Sequence, residues 1–477
     1  MKKGPLFHSV NPATEEIIWT GQESTEKEIQ DKLTSAKTAQ LKWEALNVKK
    51  RIAYIHSFKT VLEKNQDKLS ETIAIETGKP LWESKTEVKA MIAKVDISIQ
   101  AHEERCAEKK TTIEDKTLEV THKPLGVVLV LGPYNFPGHL PNGHIIPALI
   151  AGNTVIFKPS ELTPMVAELT LRLWKEAGLP SGVLTLIHGG KRVGELLVKH
   201  PDSQGIYFTG SSETGKSIQS IANQQFPHKI LALEMGGNNP LIIGKVKNIK
   251  AAAYTSILSA FITSGQRCTC ARRLIIIKTT YQAPYLETLI ELSKNLTIGP
   301  YTNTPEPFMG PVISKQQAKT IKKQYETLIS LGGKPYIPLN TIDKTPSFLN
   351  PSIIDMSQVK NPPDIEIFGP ILQVYFVENF KEALRLANNT RYGLSATLLS
   401  DNEKEYDQFK TQIKAGIVNW NTPSTGASSS VPFGGIKDSG NHRPTAYYAA
   451  DYCSYPVSSL NTKSLELPDI LLPGINA

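Results

Sequence analysis

Cysteine is scarce in this sequence, with four residues in a chain of 477. So few cysteines cannot build a disulfide framework, and the spacing of Cys268 and Cys270 is poorly suited to a bridge between them. A long apolar run is also lacking, because the stretch LGVVLVLG gives way at once to PYNFPG, well short of the ~20 residues of a membrane span. The amino terminus carries lysines but lacks the apolar core of a secretion signal. The sequence therefore predicts a soluble protein of the reducing cytoplasm that has no membrane partner.

Dense basic clusters are missing as well, although the formal net charge is +8. The longest cluster is a pair or two, such as Lys49-Lys50-Arg51 and Arg272-Arg273, and the basic residues are scattered along the chain. This distribution argues against a nucleic-acid-binding stripe and is compatible with a small anionic substrate or cofactor. No nucleic-acid partner is expected.

Two kinds of hydrophobic periodicity divide the chain. From about Glu26 to Gln100, apolar residues return at three- and four-residue steps, which predicts amphipathic helices. The segment TTIEDKTLEVTHKPLG then alternates like a pair of strands, and beyond it short apolar strands alternate with helices. Such alternation predicts a parallel sheet covered by helices on both faces, and a second α/β series follows the first. The sequence contains no internal repeat and no low-complexity linker.

The stretch GSSETGKS, from Gly210 to Ser217, fits the phosphate-loop pattern G-x-x-x-x-G-K-[ST]. It stands between a β-rich segment, GIYFTG, and the opening of a helix, where free backbone N–H groups at the positive end of the helix dipole can hold an anion. By this pattern alone the chain could be an ATPase or a kinase. The pattern has only four fixed positions, however, and it needs a nearby acidic metal ligand and the right architecture to carry that meaning.

Three further residues have the chemistry of catalytic groups. Cys268, in SGQRCTCARR, is expected on a turn between a helix and a strand, beside the cation of Arg267, which would favour a reactive thiolate. Glu234, in LALEMGGNNP, ends a strand before two glycines and could act as a general base. Asn135, in GPYNFPGHLP, could donate its amide to an oxyanion. Each has a structural alternative: a small buried hydrophobe, a solvated charge or helix cap, and a turn stabiliser.

The order of the motifs decides between these alternatives. The segments GPYNFP, KPSELTP, FTGSSETG, LEMGGNNP, GQRCTCAR, EIFGP and PFGGIKDSG occur in that order, and together they resemble the aldehyde dehydrogenase superfamily over nearly the whole chain. The resemblance implies an α/β protein with a Rossmann-like NAD-binding domain, a second α/β catalytic domain and a small β oligomerisation element. It assigns residues 1–105 and 125–235 to the NAD-binding domain, 236–443 to the catalytic domain, and 106–124 with 444–477 to an oligomerisation hairpin and C-terminal strand.

The same resemblance implies roles for the three candidate residues. As a thiolate, Cys268 would attack the aldehyde carbon, while the Asn135 side chain and the backbone N–H of Cys268 would hold the developing oxyanion. Hydride transfer to the nicotinamide would leave a thioester, which water activated by Glu234 would hydrolyse. Cys268 rather than Cys270 is the expected nucleophile, because it stands two residues after Gln266. A non-catalytic protein on the same scaffold would have no need for all three groups.

The resemblance also implies a set of cofactor-binding residues and no metal ion. These residues are Lys158 and Glu161 at the adenine ribose, Gly210, Ser211 and Gly215 at the pyrophosphate, and Glu366 and Phe368 at the nicotinamide ribose and ring. A carboxylate at Glu161 accepts hydrogen bonds from a free ribose diol and repels a 2′-phosphate, so NAD is expected rather than NADP. In this interpretation Lys216 and Ser217 complete the phosphate-loop pattern by accident.

Several stretches, among them GPYNFPGHLPNGHIIPALIAGNT and SGNHRPTAYYAADYC, resemble the subgroup that oxidises N-succinylglutamate 5-semialdehyde to N-succinylglutamate in arginine breakdown. That substrate has two carboxylates besides its aldehyde, so the pocket is expected to offer fixed cations. The candidates are Arg267, His139, His442 and Arg443, although the last two could instead pair with structural carboxylates. Succinic or glutamic semialdehyde is the alternative substrate, because both are also acidic.

The oligomeric state is indicated by two segments only. TTIEDKTLEVTHKP and DYCSYPVSSL match, in order, the projecting hairpin and the C-terminal strand of the family, which usually pair between subunits. Exposed, unpaired strands would be a liability in a monomer. A homodimer or a homotetramer is therefore expected.

Overall fold

The computed structural model describes residues 4–114, 116–278, 282–342 and 344–476. The helices are Glu26–Glu44 (α1), Val48–Lys64 (α2), Gln66–Thr77 (α3), Leu81–Arg105 (α4), His139–Ala151 (α5), Pro164–Glu176 (α6), Lys191–Val198 (α7), Ser212–Gln225 (α8), Ile249–Ala260 (α9), Gln282–Lys294 (α10), Lys315–Ser330 (α11), Phe380–Asn388 (α12), Glu403–Gln412 (α13) and Ala449–Tyr452 (α14). Short 3₁₀ helices span Ile262–Gly265 and Lys437–Ser439.

The strands form three larger sheets and two small ribbons. They are Leu6–Val10 (β1), Ile17–Gln22 (β2), Lys109–Ile113 (β3), Lys116–Pro124 (β4), Val127–Leu131 (β5), Thr154–Lys158 (β6), Leu184–Leu186 (β7), Gly205–Gly210 (β8), Ile230–Met235 (β9), Asn239–Ile243 (β10), Ala271–Ile277 (β11), Lys334–Ile337 (β12), Ser352–Asp355 (β13), Ile371–Val377 (β14), Ser395–Leu399 (β15), Ile417–Trp420 (β16), Pro432–Phe433 (β17), Thr445–Ala446 (β18) and Ser454–Asn461 (β19).

The first sheet is five-stranded and parallel, in the order β7-β6-β5-β8-β9. Its central strand, VVLVL, is buried along its whole length. Alternate residues serve opposite faces: Val128 and Val130 pack with residues of α2, α4, α5 and α6, whereas Leu129 and Leu131 pack with residues of α1, α7 and α8. The sheet is thus covered by helices on both faces, as the alternation of short strands and helices predicts.

The second sheet is seven-stranded, in the order β12-β13-β14-β11-β10-β15-β16, and it is parallel except for the edge strand β12. Its strand β11 also divides its side chains between two cores, with Leu274 and Ile276 on one face and Ile275 and Ile277 on the other. The carboxyl end of β9 leads through a short turn into β10, so the two sheets are directly consecutive in the chain.

The third sheet corrects the expected strand pairing. The C-terminal strand β19 pairs antiparallel with β4 of its own chain over eight residue pairs, from Ser454–Pro124 to Asn461–Thr117. Strand β3 pairs with the opposite edge of β4, which gives the order β19-β4-β3. The expectation that the tail strand pairs with the hairpin between subunits is therefore wrong for these two segments. In this three-stranded sheet, the outer edges of β19 and β3 form no strand pair within the described residues.

One helix begins earlier than its sequence indicates. The pattern NGHIIPALIAG predicts a helix from Asn142, whereas α5 begins at His139, inside the proline-flanked loop. The cause is Glu87 of α4, whose Oε1 accepts hydrogen bonds from the backbone N–H groups of Gly138 (2.9 Å) and His139 (3.1 Å). A carboxylate at a helix N-terminus satisfies the free N–H groups and complements the dipole.

None of the helices in the described ranges is long and apolar enough to cross a membrane.

Candidate active site

Cys268 lies on a turn between the 3₁₀ helix and β11, in a segment with an unusual backbone. Thr263, Ser264 and Gly265 all have left-handed φ angles, of +57°, +53° and +72°. Only glycine tolerates the last position, because a Cβ there would lie 2.2 Å from the carbonyl oxygen of Gly369. Non-glycine residues in this region cost about 1–2 kcal/mol each, so the turn is held by its surroundings.

Hydrogen bonds to other elements hold this turn in place. The amide of Asn239 at the start of β10 donates to the carbonyl oxygens of Cys268 (2.7 Å) and Cys270 (2.9 Å). The Gln266 side chain accepts from the backbone N–H of Ile313 at 3.0 Å. Asn239 is therefore a positioning residue for the sulfur.

Asn135 reaches the same turn from the loop between β5 and α5. The side chain is 5% exposed, and its Nδ2 donates to the carbonyl oxygen of Gln266 at 2.9 Å. That bond uses one of the two amide protons, which leaves the other for a ligand. The structure thus brings Asn135 and Cys268 together.

Glu234 lies at the carboxyl end of β9 and is 3% exposed. Burial raises the pKa of its carboxyl well above the usual value, and a backbone hydrogen bond from Thr445 only partly counters this effect. Its Oε2 has no hydrogen-bond partner among the described residues. A buried carboxyl with one free oxygen and a raised pKa has the properties of a general base.

The electrostatic surroundings of Cys268 differ from the expectation. Burial is the main factor that raises the pKa of the thiol, to about 12, and the carboxyls of Glu366 and Glu234 raise it further. Arg267 does not supply the expected activating cation, because its guanidinium is bound to Glu83 of α4 at 2.8 Å and to Thr263 Oγ1 at 2.7 Å. Most of the thiol is therefore protonated at neutral pH in this structure.

Two cavities meet at the sulfur. One of about 700 Å³ extends from Lys158 and Ser160 to Cys268, and the other of about 220 Å³ lies on the opposite side. Four residues line both cavities: Asn135, Thr209, Cys268 and Phe433. Glu234 lines the larger cavity only. A group bound in either cavity can therefore reach the sulfur.

Six of the seven expected cofactor residues line the larger cavity: Lys158, Glu161, Gly210, Ser211, Glu366 and Phe368. Ser211 caps α8, because its Oγ accepts from the backbone N–H of Thr214 at 3.2 Å. Gly215 lets this helix approach β9, since a Cβ there would lie 2.3 Å from Met235 Sδ. Lys158, at the end of β6, lies 3.8 Å from Glu161 Oε2.

The seventh expected residue, Gly215, does not line the cavity; it packs α8 against β9. Gly210 ends β8 and Ser211 opens the turn, so the two line the cavity where α8 begins. A strand–turn–helix with free N–H groups at the helix start fits the pyrophosphate of a dinucleotide.

Glu366 and Phe368 lie at the end of the larger cavity near the sulfur. Burial raises the pKa of Glu366 to about 7, although Arg272 and the N–H of Gly237 favour its charged form. Gly236 leaves space for this carboxyl, because a Cβ there would lie 1.7 Å from Glu366 Oε2 and would displace it. The ring of Phe368 lies 5.5 Å below the Arg272 guanidinium. The carboxyl and the ring are therefore fixed side by side.

Lys216 of the phosphate-loop pattern is engaged elsewhere. Its Nζ forms an ion pair with Asp438 at 2.6 Å, and the residue does not line the larger cavity. A lysine that served as a phosphate ligand would have to break this pair. The geometry favours the dinucleotide interpretation of the loop.

The smaller cavity contains two of the four candidate substrate-binding residues. Arg267 and His139 line it, but Arg267 is paired with Glu83. His139 is not a cation, because burial and the charges of Lys94 and Lys79 lower its pKa to about 3. His442 and Arg443 are exposed and line neither cavity, so the structure does not bring them to the site.

Two charged residues of the site, Lys94 and Arg272, are not among those that the sequence predicts. Lys94 lines the smaller cavity from α4, on the same buried stripe as Met91 and Val95. A lysine at an apolar position of an amphipathic helix is a signal that could have found it. Arg272 faces Phe368 and donates to the carbonyl oxygen of Arg267 at 3.0 Å, but in the sequence it is only half of a basic pair.

Known proteins resemble this chain in sequence and structure. The model of the "Aldehyde dehydrogenase family" matches residues 2–457. N-succinylglutamate 5-semialdehyde dehydrogenase of Pseudomonas fluorescens (strain Pf0-1) is 48% identical over 476 residues, which are 99% of this chain and 97% of the relative.

Solved structures agree with this relationship. A 1-pyrroline-5-carboxylate dehydrogenase from Thermus with bound NAD is 28% identical, with a TM-score of 0.90 and coverage of 96% of this chain and 90% of that one. A glyceraldehyde-3-phosphate dehydrogenase from Methanocaldococcus jannaschii complexed with NADP is 25% identical, with a TM-score of 0.89 and coverage of 96% and 99%. The predictions of the family, the fold and the enzyme class are confirmed: the chain belongs to the aldehyde dehydrogenase family.

Proposed function

We propose that this protein oxidises N-succinyl-L-glutamate 5-semialdehyde to N-succinyl-L-glutamate with NAD as the hydride acceptor. The observation that carries the chemistry is the position of Cys268 where two cavities meet, with Asn135 in the walls of both. The 48% identity to a dehydrogenase of that name supports the substrate. The thiol, the amide and the buried carboxyl supply the three functions that oxidation through a thioester requires.

The first half of the reaction uses Cys268 and Asn135. The thiol of Cys268 first loses its proton to solvent, and the thiolate then attacks the aldehyde carbon, so that a C–S bond forms and the carbonyl electron pair moves onto oxygen. The free proton of the Asn135 amide and the backbone N–H of Cys268 stabilise that oxyanion, and losing one such donor costs roughly a hundred- to thousand-fold in rate. When the carbonyl re-forms, the hydrogen leaves with its electron pair, and the substrate is left as a thioester on the sulfur.

The second half uses Glu234. As a carboxylate it takes a proton from water, the resulting hydroxide attacks the thioester carbon, and the C–S bond breaks to release the acid and the thiolate. The raised pKa of Glu234 makes it a stronger base than an exposed carboxylate, once it is ionised.

The residues of the larger cavity fit a nicotinamide dinucleotide. We infer that the start of α8 holds the pyrophosphate, that Lys158 and Glu161 hold the adenine ribose, and that Glu366 and Phe368 hold the nicotinamide end. The volume of about 700 Å³ is in the range of cofactor sites. When bound, the nicotinamide supplies the electrophilic carbon that accepts the hydride.

The domain assignment follows from the same reasoning. We propose that residues 1–105 and 125–235, which contain the five-stranded sheet, form the NAD-binding domain, and that 236–443 form the catalytic domain. Residues 106–124 and 444–477 contain the three-stranded sheet, and we propose that its open edges contact other copies in a dimer or tetramer.

The substrate is tested by NADH formation with a panel of aldehydes. We expect kcat/KM for N-succinylglutamate 5-semialdehyde to exceed that for succinic semialdehyde, glutamic semialdehyde and a neutral aldehyde of similar length by at least about tenfold, which corresponds to about 1.4 kcal/mol. If succinic or glutamic semialdehyde is preferred, then that compound is the substrate, and the enzyme class stays the same. Absence of NADH with every aldehyde would contradict the proposed function itself.

The preference for NAD is tested at Glu161. This carboxylate lines the larger cavity beside Lys158 and would lie against a 2′-phosphate, so Glu161→Ala is expected to raise kcat/KM for NADP relative to NAD by about tenfold or more. Steady-state kinetics with both cofactors measure the ratio. Glu176→Ala is the matched control, because Glu176 is an exposed carboxylate that does not line the cavity. If the ratio of kcat/KM for NADP to that for NAD is unchanged in Glu161→Ala, then Glu161 does not determine the preference between the two cofactors.

A further inference from the structure

Lys94 is a buried lysine whose ammonium has no partner. The residue is 1% exposed, and no atom of the described residues forms a hydrogen bond with its Nζ. Other buried lysines of this chain are satisfied: Lys79 pairs with Glu87 at 2.6 Å, and Lys229 donates to Ser203 Oγ at 3.0 Å and to the carbonyl oxygen of Val198 at 3.3 Å. An unpaired buried ammonium is strongly unfavourable, so its presence requires an explanation.

Within the part of the chain that the structure describes, no carboxylate pairs with Lys94. Glu87, seven residues earlier on α4, already accepts from Lys79 and from the two N–H groups at the start of α5. His139 and His144 of α5 line the same cavity as Lys94, and burial together with the charge of Lys94 lowers the pKa values of both rings. Burial lowers the pKa of Lys94 to about 7, and an anion bound beside the amine would favour its charged form.

Lys94 lines the smaller cavity, and so does Cys268. His139 lines it too, and its Nδ1 is a second buried atom without a partner. Lys94 packs against α5 at Gly143, where a Cβ would make an ordinary contact of 3.9 Å with Lys94 Cε. One cavity of about 220 Å³ thus joins the reactive sulfur to two buried groups that can donate hydrogen bonds to an anion.

We propose that Lys94, with His139, binds a carboxylate of the aldehyde substrate in the cavity that Cys268 also lines. This inference rests on the proposed oxidation of an acidic aldehyde. It adds the residue that makes the enzyme prefer an aldehyde with a carboxylate over a neutral one. The substrate carboxylate would act as the counter-ion of Lys94, which has no partner among the described residues. Arg267 is less suited to this role, because its charge is already matched by Glu83.

The test is Lys94→Met in the full chain, assayed with an acidic and a neutral aldehyde. Loss of a charged hydrogen bond is expected to raise KM for N-succinylglutamate 5-semialdehyde about 10- to 100-fold, with kcat/KM for the neutral aldehyde within about twofold of the parent. Lys94→Arg keeps a cation and is expected to recover part of the affinity for the acid. If the parent prefers another acidic semialdehyde, the same comparison is made with that substrate, so the inference is tested separately from substrate identity.

The melting temperature gives a second readout. Lys94→Met replaces an unpaired buried charge by an apolar side chain of similar length, so the ligand-free variant is expected to melt at a higher temperature than the parent. N-succinylglutamate should raise the melting temperature of the parent more than that of the variant. The matched control is Lys229→Met, which removes a satisfied buried lysine and is expected to lower the melting temperature with KM unchanged.

Two outcomes would overturn the inference. If Lys94→Met lowers kcat/KM for the acidic and the neutral aldehyde by the same factor, or fails to fold, then Lys94 is a structural residue. If KM for the acidic aldehyde stays within twofold of the parent value, then the carboxylate binds elsewhere in the cavity, and Arg267 becomes the next residue to replace.

Discussion

Cys268→Ala is expected to lower kcat for aldehyde oxidation by roughly 10⁴-fold or more, because no other group at the site can form the covalent bond to the substrate carbon. Residual binding of aldehyde and NAD should survive, since the cavities are lined by many other residues. NADH formation measures the rate, and mass spectrometry after reaction with an aldehyde analogue measures covalent labelling. Both signals should be lost together in this variant.

Cys270→Ala is the matched control, because it removes a thiol two residues away. Cys270 is fully buried, whereas Cys268 is partly accessible and lines both cavities. Cys270→Ala should therefore keep most of the activity and all of the labelling. An inactive Cys270→Ala variant beside an active Cys268→Ala variant would show that Cys270, and not Cys268, is the nucleophile.

The pH dependence of alkylation follows from the same site. With the pKa of Cys268 raised to about 12, the thiolate fraction grows about tenfold for each pH unit between 7 and 10. The rate of carbamidomethylation of Cys268 in the ligand-free protein should rise in the same proportion. The cause is burial together with two nearby carboxyls, so a cation brought beside the sulfur would lower this pKa and speed the reaction.

Local patterns in the sequence were sufficient to predict the elements that carry the cofactor. The segment GIYFTG forms β8 over the same six residues, and Ser211 caps the helix that follows. Glu234 lies at the end of its strand, next to two glycines, as the sequence indicates. These features depend on residues that are neighbours in the chain. Hydrophobic alternation and capping rules use the same neighbours, and they can therefore predict such features.

Contacts between distant segments could not be predicted in the same way. Arg267 is adjacent to Cys268 in sequence, yet its charge is directed to Glu83, 184 residues earlier. The start of α5 depends on Glu87, and β19 pairs with β4 of its own chain, whereas the sequence predicts pairing of these segments between subunits. The electrostatics of the site depend on such contacts, and Arg267 therefore does not act as the free cation that its place beside Cys268 suggests.

Glu234→Gln is expected to separate the two halves of the reaction. Glutamine has nearly the same shape as glutamate but cannot take a proton from water, so hydrolysis of the thioester should slow by about 10²- to 10⁴-fold while acylation proceeds. Rapid mixing with aldehyde and NAD should then give a burst of NADH close to one equivalent per site, followed by slow turnover. Intact-mass analysis should find the acyl group on Cys268.

Glu366→Gln provides the comparison, because Glu366 is also a buried carboxyl near the sulfur but belongs to the nicotinamide end of the larger cavity. It should slow NADH formation in the burst itself and accumulate no acyl-enzyme. In the parent, the raised pKa of Glu234 predicts that deacylation accelerates as pH rises, because only the ionised carboxyl accepts the proton. A Glu234→Gln variant that turns over at the parental rate, with no mass added to Cys268, would require water to be activated by another group.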